Sequence, residues 1–112
     1  MLVVLLVRND ASGAVGMLQA GAEGADWQRK SIEAYGGRSL HQWAVMGRYD
    51  AVVVAEFDAL ENAIAFSLAS SASGQHVDVL PALTHEGFQA AAEVAVAAQE
   101  ALAALLPNPV VP

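Results

Sequence analysis

No cysteine occurs in this chain of 112 residues, which excludes disulfides, thiolate metal sites and cysteine nucleophiles together and leaves the redox compartment open. Basic charge is scarce as well. The formal net charge is −7, and the five cations, Arg8, Arg29, Lys30, Arg38 and Arg48, form no run. A phosphate backbone or an anionic membrane surface requires clustered cations, so neither nucleic acid nor membrane is expected as a partner. The three histidines fall at no recognised ligand spacing and nominate no metal site. The glycines between positions 13 and 24 follow neither dinucleotide nor nucleotide-loop spacing, and no cofactor is expected. Long apolar runs are missing too. Residues 1–7 are too short for a secretory leader and are closed by Arg8, Asn9 and Asp10, while the Ala-rich stretch 90–106 is interrupted by Glu93, Gln99 and Glu100. The chain reads as cytoplasmic.

What the chain has in excess is apolar surface. With 55% hydrophobic and 15% charged residues, at a length that supports one core and not two, it carries more apolar area than one small monomer hides. Association of several copies is the simplest outlet.

Residues 36–57, GGRSLHQWAVMGRYDAVVVAEF, organise the rest. Two extended stretches, 38–46 and 51–57, are separated by Gly47, Arg48, Tyr49 and Asp50, which is a hairpin signature. Pairing Met46 with Ala51 sets Trp43 against Val54 and His41 against Glu56. One face then holds His41, Trp43, Val45, Val52, Val54 and Glu56. The other holds Leu40, Gln42, Ala44, Met46, Ala51, Val53, Ala55 and Phe57 and suits a layer of helices.

Upstream of the hairpin, residues 1–7 read as a central strand, 9–13 as a loop, and 15–35 as a helix that is firm from Asp26 onward, with Trp27 and Tyr35 inward and Gly36-Gly37 ending it. Downstream, Asp58 and Glu61 form a capping box for a helix over 59–69 with Leu60, Ile64, Ala65 and Leu68 inward. Residues 75–83 form a strand that Pro81 places at a sheet edge, and Thr84 caps a last helix over 85–106. In that helix Phe88, Ala91, Ala95, Ala98, Leu102 and Leu105 recur at helical spacing opposite Glu86, Glu93 and Glu100, giving a seam of small residues with a solvated back. A short Pro-containing tail follows.

The order β-α-β-β-α-β-α, with right-handed crossovers, predicts an α+β fold: a ferredoxin-like four-stranded antiparallel sheet with helices on one face, plus a long C-terminal helix. The first, third and fourth strands are apolar on both faces, so the second face calls for a cover from outside the chain. Another copy is the simplest one.

The motifs Gly36-Gly37, Gly47-Arg48-Tyr49-Asp50-Ala51-Val52-Val53-Val54 and Ala82-Leu83-Thr84-His85-Glu86-Gly87-Phe88 resemble those of the GYD family, small bacterial and archaeal proteins named for a Gly-Tyr-Asp-containing turn. The resemblance covers residues 1–88 and leaves the Ala-rich helix and tail, 89–112, outside the family core. It implies a ferredoxin-like protomer that pairs sheet to sheet as a dimeric α/β barrel, and it implies no assigned reaction. Residues 9–13 are not the Thr-rich loop usual in the family, and the long Ala-rich helix bears on the oligomeric state.

The residues that carry chemistry each have a blander explanation. Gly47, Tyr49 and Asp50 are accounted for by the turn itself; the functional alternative sets Tyr49 and Asp50 at the mouth of the barrel as ligand-orienting groups. His41, Trp43 and Glu56 suggest an imidazole–carboxylate pair beside an aromatic wall, with His41 as general base, against which stands an ordinary cross-strand polar pair. His76 and Asp78 share a face on the last strand and either join the same cavity or meet solvent, and His85 belongs to the first turn of the last helix.

The leading expectation is a homo-oligomeric protein with an assembly or small-molecule-binding role, in which Phe88, Ala91, Ala95, Ala98, Leu102 and Leu105 form an oligomer interface. Two rivals stand beside it. One is a cofactor-independent oxygenase, isomerase or decarboxylase of the dimeric-barrel type that uses His41 and Glu56, with Trp43, Tyr49, Asp50 and His76 binding the ligand. The other is a docking subunit that joins a larger complex through its last helix.

Overall fold

The unbroken Leu and Val run of the first strand, β1 (Leu2–Asn9), occupies the middle of a four-stranded antiparallel sheet in the computed structural model, which describes residues 1–106. The Pro-containing tail lies outside those residues. β3 (Ala51–Phe57) and β4 (Gln75–Pro81) flank β1, and β2 (Gly37–Ala44) lies beyond β3, so the order is β2-β3-β1-β4, the ferredoxin-like arrangement. Pro81, which has no amide to donate, is on an edge strand as expected.

The chain from Met1 to Ala82 is one compact unit and the chain from Leu83 onward is another. In the first unit the alternating residues Val3, Leu5 and Val7 of β1, Val53, Ala55 and Phe57 of β3, and Val77 of β4 are buried beneath the helices. Ile32, Ala63 and Phe66 close over them, with the Phe66 ring centroid 6.0 Å from Tyr35 and 6.2 Å from Phe57.

The first helical region begins earlier than the sequence suggests. Asp10 accepts from the Gly13 amide at 2.9 Å and starts α1 (Ala11–Ala20), so residues 9–13 are the end of β1, an N-cap and a first turn and not a free loop. A short 3-10 turn at Gly21–Glu23 then leads to α2 (Gly24–Ala34), where Arg29 pairs with Asp26 and Glu33 on the exposed side. Gln28 and Ile32 point inward; Trp27, expected inside, is 59% exposed, while Tyr35 does pack against the core. Gly36, at φ +77°, ends the helix as expected, and at Gly37 a Cβ would lie 2.6 Å from the Phe57 ring and 2.7 Å from Ile32 Cγ2.

The second helix, α3 (Leu60–Ala72), also departs from expectation. Its N-cap is Ala59 with no side-chain bond, so the Asp58–Glu61 capping box does not form. Its inward side is Ala63, Phe66 and Ser70, and Leu60, Ile64 and Leu68 are exposed. A helix with apolar residues nearly all round gives two competing stripes, and the larger ring, Phe66, takes the core. Ser67 Oγ donates to the Val77 carbonyl at 2.8 Å and ties α3 to β4, which ends at Pro81 and not at residue 83.

The second unit is α4 (His85–Leu105), capped as expected by Thr84, whose Oγ1 accepts from the Gly87 amide at 3.1 Å. None of its residues is buried, and Phe88, Leu102 and Leu105 are all exposed. Among the described residues no helix is long and apolar enough to cross a membrane.

Candidate functional site

Strand alternation leaves the other side of the sheet uncovered by any helix of the first unit. Pairing registers arrange its residues in rows. Trp43, Val52, Leu6 and Asp78 form one row from β2 to β4; His41, Val54, Val4 and Leu80 form the next; Arg8 and His76 stand side by side at the end of β1 and β4. The face is thus an apolar floor of Leu and Val between an aromatic edge on β2 and a polar end on β4.

The hairpin register differs from the expected one, and with it the His41–Glu56 pair. Ala44, not Met46, lies opposite Ala51, and a bulge between Ser39 and His41 shifts the ladder again. His41 therefore faces Val54 and stacks on Trp43, with ring centroids 5.4 Å apart. Glu56 faces Arg38 and binds its guanidinium at 2.7 Å. The predicted face assignment survives for His41, Trp43, Val52 and Val54, because the upper half of the strand moved by two residues.

The reason for the shift is the path of the connection. The Val45 amide donates to the Asp50 carbonyl at 3.0 Å and extends the hairpin by one pair, while Asp50 also binds β1: its amide donates to the Val7 carbonyl at 2.7 Å, and its Oδ2 accepts from the Asn9 amide at 2.8 Å. The Asp50 side chain does bond backbone, but that of β1 and not that of its own turn. Clamped there, the loop carries Tyr49 across the end of β1 to β4, where its hydroxyl donates to Asp78 Oδ2 at 3.0 Å. The other oxygen of Asp78 is bonded to His76 Nε2 at 2.9 Å. Tyr49, Asp78 and His76 form one hydrogen-bonded chain. The Tyr49 hydroxyl is the main influence holding the Asp78 carboxyl below its ordinary value; exposure to His76 and to the charge of Arg8 acts in the same direction, against some desolvation. A recess of about 220 Å³ lined by Arg8, Asp10, Gly74 and His76 among others opens beside the chain.

The structure thus joins two of the expected ligand-orienting residues, Tyr49 and His76, and leaves His41, Trp43 and Glu56 toward the opposite edge. Asp50 serves as the clamp. Asp78 was legible only as a residue sharing a strand face with His76; its bond to Tyr49 depends on the loop path over β1, for which the sequence carries no local signal. Arg8, set aside for lack of neighbouring cations in the sequence, is brought next to His76 by strand pairing. Among the described residues no three His, Asp or Glu side chains converge as metal ligands.

A four-stranded antiparallel sheet with the helices of its own unit on one side defines the chain as a ferredoxin-like α+β protein. Residues 4–92 match the GYD domain family, and the chain belongs to that family; the match reaches into the start of α4, somewhat past the expected limit at residue 88. No curated protein and no solved structure matches the chain.

Proposed function

We propose that the chain associates with a second copy of itself across the open sheet face, as a dimeric α/β barrel, and that the enclosed space holds a small molecule at its Tyr49–Asp78–His76 end. The observation that carries this reading is the makeup of the face: Leu2, Val4, Leu6, Val52 and Val54 are only half-buried, and Trp43 and Leu80 are exposed. Strand spacing and rise give the face an area of roughly 400 Å². The apolar part of a face of that size is often functional, and a two-fold axis allows one patch to serve both copies. The α4 seam of Phe88, Ala91, Ala95, Ala98, Leu102 and Leu105 supports a further contact between copies, since none of the helix's residues is buried and most helical stability in proteins comes from packing an apolar face.

Val54→Lys tests the reading. Val54 is central in the open face and outside the helix-covered core, so the variant is expected to keep its circular dichroism spectrum while its mass in light scattering falls to that of one chain. A parent protein of single-chain mass at tens of micromolar removes the reading. The enzyme alternative draws on one observation, the bonded His76–Asp78 pair.

A further inference from the structure

We infer that His76 is a general base for proton transfer in a small, flat, apolar ketone, oriented by Asp78 and Tyr49; the inference rests on the open face being the ligand-bearing side. The hydrogen bonds dictate the tautomer. Asp78 Oδ2 accepts from the Tyr49 hydroxyl, and an ionised carboxylate has no proton of its own to give, so the bond at Oδ1 requires the proton on His76 Nε2. In the neutral ring that leaves the Nδ1 lone pair free, and among the described residues no group bonds to it. A carboxylate that fixes one imidazole nitrogen as donor makes the other a directed base and steadies the imidazolium that forms.

The surroundings name the substrate class. Leu6, Val4 and Val52 make a flat apolar floor running up to Asp78, with Trp43 at its far side. Arg8 is the register partner of His76 and takes part in none of the ion pairs among the described residues, so its guanidinium is available for an oxygen that gains charge. A ketone with its body on the floor and its oxygen toward Arg8 presents an adjacent C–H to His76. Nδ1 takes that proton, the C–H electron pair moves into the new C=C bond, and the carbonyl π pair moves onto oxygen as the enolate. Exchange of the Nδ1 proton with solvent and its return to the same carbon restore the base and give the ketone with an exchanged hydrogen. No electron is gained or lost. His41 serves no part in this step, because three strand spacings separate β2 from β4, about 14 Å.

The full chain is tested with 2-tetralone in heavy water, following loss of the proton signals beside the carbonyl by NMR. Exchange is expected about 100-fold faster than with free imidazole at equal concentration, within the range for a positioned base. His76→Gln is expected to abolish the excess. Asp78→Asn and Tyr49→Phe are expected to lower it about tenfold and to change the imidazole nitrogen shifts that report the Nε2–H tautomer, a readout that a merely structural role would not move. Exchange no faster than imidazole in a protein of oligomeric mass overturns the base assignment and leaves the association standing. Loss with His41→Gln and retention with His76→Gln also overturns it. A single-chain mass with His76-dependent exchange upholds the base and removes the association, and a single-chain mass without such exchange removes both.

Discussion

Leu5 and Leu6 are neighbours on β1 and chemically identical, yet Leu5 is 0% exposed beneath the helices and Leu6 is half-buried on the opposite face. The same contrast repeats along the sheet, with Val53 and Ala55 sealed and Val52 and Val54 not. The helix-covered face is complete within one chain: it has ring-on-ring packing through Phe66 and the Ser67 bond to Val77. The open face has the apolar composition of a core and a polar chain at one end, without a cover from its own unit. Two surfaces made by one alternating sequence thus serve two different roles, one closing the fold and the other available for assembly and ligand.

The largest break in this comparison comes from truncating the two leucines. Leu5→Ala is expected to lower unfolding free energy by about 2–5 kcal/mol, through lost burial and a cavity. Leu6→Ala is expected to cost the isolated chain well under half as much, and its cost grows with protein concentration if a second copy covers it. Urea unfolding of both variants at two concentrations checks the pair; equal, concentration-independent losses would make the faces equivalent. Next in size is Gly37→Ala. The added methyl meets the Phe57 ring and Ile32 at distances no real contact tolerates, so a loss of about 1–3 kcal/mol is expected from overpacking of the covered face. The measurement is the same unfolding midpoint, and an unchanged one would show that the β2 start yields freely.

Which side of β3 faces inward was legible from sequence, because strand alternation needs only parity. Along β2 the bulge breaks that parity, and Leu40 and Met46, expected on the helix-covered side, are exposed. The central position of β1, the edge position of Pro81 and the Thr84 cap were legible for equally local reasons. What failed was register and helix phase. Asp50, at the end of the β2–β3 connection, is held by Val7 and Asn9, residues some forty positions away, so local hairpin rules alone do not place the loop. In α3 the Leu60, Ile64 and Leu68 stripe competes with Phe66, and only three-dimensional packing against Tyr35 and Phe57 decides between them. The candidate site inherits this division. The parity of His76 and Asp78 was visible; Tyr49 reaching them was not.

The smallest effect is the most specific to the polar end of the open face. The carboxyls of Asp10, Asp26 and Asp78 all lie below their ordinary value, held chiefly by the Gly13 amide, by Arg29 and by the Tyr49 hydroxyl respectively. A carboxyl depressed in the folded chain binds fewer protons there than in the unfolded chain, so its contribution is complete above the ordinary value of about 3.9 and is lost as pH falls through the lower folded value. All three groups are solvent-exposed, so each contribution is small. Tyr49→Phe removes the leading cause at Asp78 and nothing at Asp10 or Asp26. The melting temperature of the parent is expected to decline from about pH 4 downward, and that of Tyr49→Phe to decline less steeply over the same interval while matching the parent's slope near neutrality. Parallel curves through the acid range would show that the Tyr49–Asp78 bond is not kept in solution, and would remove the support on which the orientation of His76 depends.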